Sequence, residues 1–186
     1  AFYLQASKSL LPEKPNDANF RDWIRTHQLL ASNLVEQEND EAALFYFEKI
    51  LPLGDQYGFN ENWNHLGMGN SLLRKNQPAQ ARGHFKKALV AAEAVYGLHH
   101  PEVAEIYRRL AHSYLDEEQL EVALSYCQKA LLALSPAFSD SLDFTNPALD
   151  QVAALTKLLL VLSTKATTLV RLSRVDAQWE PLALRT

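Results

Sequence analysis

The residues of this 186-residue chain that could do chemistry are few: one cysteine, Cys127, and six histidines. A thiol becomes a nucleophile when a base stands within hydrogen-bond reach, and His112 is the candidate base for Cys127. A metal would need imidazoles and carboxylates converging in the right number and geometry. The pair His99-His100 instead sits beside Pro101, where a turn is expected, and the remaining histidines are at least a dozen residues apart. No Gly-rich phosphate loop, G-x-S-x-G elbow or H-E-x-x-H helix is present. The chain is therefore read as non-enzymatic, with no metal and no cofactor. A single cysteine cannot close an internal disulfide, which points to a reducing, cytoplasmic compartment.

The elements that hold these residues follow from composition. Hydrophobic residues make up 47% of the chain and charged residues 22%, enough for a packed core. Only 6 Gly and 8 Pro punctuate it, which is too few for a many-stranded fold, so an all-α chain is expected. The net charge of -4 is spread without acidic or basic blocks, which excludes a nucleic-acid footprint. The longest apolar run, Leu158 to Leu162, lies between Lys157 and Lys165 and falls far short of the ~20 residues that span a bilayer. The chain opens on Ala1, and its only methionine, Met68, lies inside a helical pattern, so a piece cut from a longer array is expected.

Small residues recur at a fixed spacing. Ala31 is followed twelve residues later by Ala43, then Phe47 and Ile50; Gly69 by Ala81, Phe85 and Ala88; Ala111 by Ala123, Cys127 and Ala130. Larger apolar residues flank the first position each time: Leu30 and Leu34, Met68 and Leu72, Leu110 and Tyr114. Positions i, i+1 and i+4 share one face of a first helix, and i, i+4 and i+7 share one face of a second. Small residues allow the helix axes to approach, and the aromatic residue fills the gap beside them. Polar turns at Gln37–Asp40, Arg74–Gln77 and Asp116–Gln119 join the two helices of each unit. Such pairs cannot bury their faces alone, so they stack. Cys127 takes the place of Phe47 and Phe85, which makes it a buried, inert thiol rather than a nucleophile. His27 and His65 stand four residues before the small residue, as packing residues with one satisfied nitrogen.

This spacing resembles the tetratricopeptide repeat, over residues 24 to 137. The resemblance implies a right-handed α-α superhelix of antiparallel helix pairs. The usual period is ~34 residues, whereas Ala43 to Ala81 is 38 and Ala81 to Ala123 is 42, so second helices or connections are extended. The link from Tyr96 to Ala104, with Gly97 ending one helix and Pro101 starting the next, is similar to the long-period repeats of kinesin light chains. The expected layout is 1–12 as the end of a preceding repeat, repeats at 20–57, 60–97 and 101–137, and at 147–186 a further first helix with the start of its partner. That last helix is expected over Leu149 to Arg174, with Leu155, Leu158, Leu159, Leu162, Ala166 and Leu169 on its buried side. Its Asn-Pro, Lys165-Ala166 and Trp179-Glu180-Pro181-Leu182-Ala183 elements are similar to the last repeats before the caspase-like domain of bacterial CHAT proteins. That implies a regulatory or recruiting arm for a protease beyond Thr186.

Residues three and six before the small residue, and one after it, fall beside the packed stripe, on the face that lines the concave groove of stacked repeats. They are Arg25, Gln28 and Ser32; Trp63, Leu66 and Asn70; Glu105, Arg108 and His112; and Leu160, Ser163 and Thr167. Amides, an aromatic ring and opposed charges suit a peptide or protein segment, from another protein or from another part of the same chain. For any one of these residues a solvated polar face is the competing reading. Gln28, Ser32 and Glu105 stand where a clamp for a C-terminal carboxylate would need cationic or amide groups, which disfavours that specialised function.

Overall fold

The computed structural model describes residues 18–57, 59, 61–135, 146–147 and 154–183. The expected remnant of an earlier repeat at 1–12 lies outside the described residues. The helices are α1 (Phe20–Glu36), α2 (Asp40–Ile50), the single turn α3 (Gly54–Tyr57), α4 (Asn62–Arg74), α5 (Pro78–Tyr96), α6 (Pro101–Leu115), α7 (Leu120–Leu134), α8 (Leu155–Val175) and the single turn α9 (Glu180–Ala183). Two 3-10 turns, Leu51–Leu53 and Ala177–Trp179, precede α3 and α9. No strand occurs among the described residues, and none of their helices is long and apolar enough to cross a membrane. Neighbouring helices pack in sequence: α1 with α2, α4 with α5, α6 with α7, and α8 against α7 and α6.

The small residues explain the close packing. Ala31, Ala43, Ala81, Ala88, Ala111, Ala123, Cys127 and Ala130 have no solvent exposure, and Phe85 is fully buried with them. A Cβ on Gly69 would overlap the Phe85 ring, and one on Gly67 would overlap the Phe47 ring. Gly67, outside the small-residue stripe, therefore serves an aromatic ring of the preceding unit. One continuous core links Phe85, Ile106, Leu110, Leu131 and Leu158 across α5 to α8. A second joins Ala31, Leu34 and Phe47 to Met68 of the next unit.

The turn within each pair has one design. Glu38, Asn76 and Glu118 adopt left-handed backbone conformations (φ 57°, 58° and 59°). The amide of the following residue reaches back to Leu34, Leu72 and Tyr114 carbonyls at 2.9, 2.9 and 3.0 Å. These bonds satisfy carbonyls that a helix end leaves orphaned. Arginines from adjoining units serve the same carbonyl ends: Arg74 donates to Val35 O, Arg82 to Ser113 O and Arg171 to Leu115 O. Each also pairs with an acid beside that turn, Asp40, Glu117 and Glu118 respectively. The extra length of the repeats lies elsewhere, in Leu51–Leu53 and α3 of the first unit and in the 19-residue α5 of the second. Gly97, at φ 78°, ends α5, and His100 caps α6 by accepting the Glu102 amide proton on Nδ1 at 3.1 Å.

The helix α8 departs from the expected face. Leu158 and Leu169 are buried, but Leu155 is 55% and Leu159 64% exposed, while Leu162 and Ala166 are half-buried. The buried stripe runs through Leu158, Val161, Lys165, Thr168 and Leu172 instead. A leucine-rich helix offers two plausible stripes, and here the one that admits a buried hydrogen-bonding lysine is used. Lys165 Nζ donates to Gln128 Oε1 of α7 and to Asn146 Oδ1, both at 2.9 Å. The helix starts at Leu155; residues 148–153, where an earlier start was expected, lie outside the described residues.

Candidate binding site

A cleft of about 370 Å³ lies between α1 and α4. Arg25, Gln28 and Ser32 line it from α1, and Trp63, Leu66 and Asn70 from α4. Six of the groove positions named from the sequence are thus brought together. Leu29, Val35, Glu36, Asn64 and Gly67 complete the walls, and Phe47 forms the floor. Gly67 allows this, because any side chain there would displace the Phe47 ring. Trp63 is 54% exposed, as is much of Leu29, whereas Leu66 is buried.

Polar groups in the cleft are incompletely used. Gln28 Nε2 donates to Asn64 Oδ1 at 3.1 Å, tying α1 to α4. Asn64 Nδ2 and Asn70 Oδ1 are shielded from solvent and have no hydrogen-bond partner. An unused buried amide group costs roughly 1–3 kcal/mol. Asn64 was missed by sequence reasoning because it sits one place beyond the groove positions. An amide next to the exposed Trp63 was the available signal.

The third unit treats the equivalent positions differently. Glu105 accepts from Arg108 Nε and Nη2 at 2.8 and 2.6 Å and from Arg109 Nε at 2.8 Å. Burial alone would raise the Glu105 carboxyl pKa, but the bonds from Arg108 and the charge of Arg109 outweigh it and hold the acid below its ordinary range. Arg108 is only 8% exposed and committed to Glu105, so it is not available on a free face. His112 is exposed and stands 3.4 Å from Asp116. Cys127 is fully buried and His112 is not, so the two do not form a solvent-accessible dyad. On α8, Ser163 and Thr167 line a second depression with Val170, Arg171 and Arg174. Thr167 spends its hydroxyl on the Ser163 carbonyl at 2.9 Å, and Leu160 is exposed nearby.

His27, His65 and His84 pack between helices or against neighbouring rings, whereas His99 and His112 are exposed. His27 lies against Trp23 with ring centres 3.7 Å apart, and its Nδ1 donates to the Trp23 carbonyl at 2.8 Å. His65 Nδ1 and His84 Nδ1 stand 3.0 Å apart between α4 and α5. Burial, with the neighbouring His84 and Lys87 charges, lowers the pKa of His65 to about 4. His99 contacts the Leu132 carbonyl at 3.1 Å, and His100 stacks on Tyr96. Among the described residues no group of three metal-ligating side chains converges.

Residues 61–134 match the family model described as tetratricopeptide repeat. Comparison with curated protein sequences finds no match. Among solved structures, the chain is similar to BtubC (BKLC) from P. vanneervenii, with a TM-score of 0.58 and 16% identity over 84% of this chain and 64% of that one. The chain thus covers somewhat less than two thirds of the structure it matches, and at this identity the likeness is one of fold. Helix pairs of one recurring design carry that match across α4 to α7, so residues 61–134 match the tetratricopeptide repeat in sequence and the chain resembles a repeat protein of that kind in fold.

Proposed function

We propose that the chain is a non-catalytic scaffold that binds a peptide or protein segment in the cleft between α1 and α4. Tetratricopeptide repeat domains, which residues 61–134 match, mediate protein–protein interaction. The observation that carries the reading is the incomplete use of polar groups beside exposed apolar side chains. The exposed Trp63 ring and Leu29 offer apolar surface, while the Asn64 donor and Asn70 acceptor are unpartnered. A peptide unit supplies the matching carbonyl and N–H, and a change of side-chain rotamer turns either amide toward an occupant, Asn64 giving up its bond to Gln28 as it does so. Aromatic residues and arginine are the side chains most enriched in such interfaces. The site is centred on the first two units rather than spread over all four, because Arg108 and Glu105 neutralise each other in the third. The occupant is a segment of a separate protein, or of the parent chain as the caspase-like resemblance implies.

The test uses peptides enriched from a phage-displayed library against the chain. Amide shifts on titration should cluster on α1 and α4, and Trp63→Ala should weaken binding at least tenfold while leaving the melting temperature unchanged, since Trp63 is exposed. Shifts confined to the outer faces of α2, α5 and α7 would refute the reading.

A further inference from the structure

Two unpaired charges stand at opposite ends of this cleft. Arg25 and Glu36 both line it, both are exposed, and among the described residues neither has an ion-pair or hydrogen-bond partner. They lie eleven residues apart on α1, which at 1.5 Å per residue is about 16 Å along the helix axis. The charges beside them are spoken for. Arg74, which reaches the Val35 carbonyl next to Glu36, is bound to Asp40. Arg21 stands over the Phe20 ring, 5.7 Å from its centre, and does not line the cleft. The cleft is thus positive at the start of α1 and negative at its end, with apolar surface from Leu29 and Trp63 between.

Resting on the reading of the cleft as a segment-binding site, we infer that it selects an extended segment of mixed charge in a fixed order. A carboxylate faces Arg25, an ammonium or guanidinium faces Glu36, and an apolar side chain lies between. At about 3.3 Å per residue, five residues of extended chain cover the separation, so the opposite charges stand four to six positions apart. A uniformly acidic segment would satisfy Arg25 and be repelled at Glu36, and a uniformly basic one the reverse; like-charge juxtaposition is how interfaces reject wrong partners.

The experiment exchanges the two charges. The double variant Arg25→Glu, Glu36→Arg places an acid nearer the start of α1 and a base at its end, as the helix dipole favours, so folding is retained. The same phage-displayed library of twelve-residue peptides is panned against the parent chain, this variant and Trp63→Ala. Parent pools should be enriched in one order of acid, apolar residue and base. Pools from the exchanged variant should carry the reverse order, and each pool should bind its own protein roughly three- to tenfold better than the other, as two exposed ion pairs allow. Pools that bind both proteins alike but are lost on Trp63→Ala would overturn the charge order and leave the cleft occupied. Pools indifferent to Trp63→Ala would overturn the segment-binding reading and the charge order with it.

Discussion

Trp63, Leu66, Gly67 and Asn70 of the second unit recur, 42 residues on, as Glu105, Arg108, Arg109 and His112 of the third. The two sets hold equivalent repeat positions, but the second unit leaves an open cleft and the third closes an ion network on itself. Gly67 makes room for Phe47 and hence for a cleft floor, whereas Arg109 fills the same place and pairs with Glu105. Packing constrains the small-residue stripe in both. The neighbouring stripe is free to vary, so one scaffold holds a receptive surface and a self-satisfied one side by side.

The contrast predicts its own largest effect. Glu105→Ala leaves the buried Arg108 without its partner, and breaking such a pair costs about 3 kcal/mol or somewhat more. Arg25→Ala in the open cleft should stay within about 0.5 kcal/mol, as exposed substitutions do. Chemical denaturation of both variants compares them directly, and similar losses would erase the distinction between the two units. Next in size, Gly69→Leu and Ala111→Leu drive a side chain into a filled contact, costing roughly 1–3 kcal/mol in each unit. Thermal melting equal to that of the parent would place these residues outside the helix contacts.

A smaller difference is set by pH. The ring pair His65 and His84 of the second unit corresponds to Tyr107 and Tyr126 of the third. The unfolded chain protonates histidine near 6.5, while folding holds His65 down to about 4. As pH falls below 6.5 the unfolded state takes up protons first, so the contribution of His65 is complete above 6.5 and is lost progressively toward 4. Burial and Glu93 push Tyr107 up to about 12, so the tyrosine pair is silent over that range. His65→Phe should flatten the dependence of stability on pH between 6.5 and 4.5, and Tyr107→Phe should leave it unchanged; an unaltered slope in the first variant would remove His65 as its source. The smallest effect belongs to the turn. Glu38 is exposed at φ 57°, and Glu38→Gly should raise stability by up to about 1 kcal/mol, since glycine adopts this conformation without a Cβ penalty.

The fold was legible because its determinants are local and repeated. A twelve-residue step between small residues encodes two helices and a turn whatever the intervening residues are, and three copies make the period visible. What escaped was decided by contacts between units. Phe47 reaches Gly67 of the following pair, a link no spacing within one repeat displays. Glu105 and Arg108 look like groove residues on a helical wheel, yet three residues apart they meet and bury each other. On α8 the leucines satisfied two stripes, and the choice rested on Gln128 and Asn146 receiving Lys165, one from another helix and one from outside the helices. Six groove positions of α1 and α4 line one cleft because their spacing keeps them on one face of each helix, although Gln28 is tied to Asn64 and Leu66 joins the core.

The three left-handed turns at Glu38, Asn76 and Glu118 divide the molecule into a conserved edge and an adjustable one. Every difference in repeat length is absorbed at the far edge, by Leu51–Tyr57 and by the length of α5. That edge already accommodates connections of different length within this one chain. For protein engineering this nominates the Leu98–His99 bend, rather than the Glu38 or Glu118 turn, as the place to graft a fused domain or reporter with the cleft left in register.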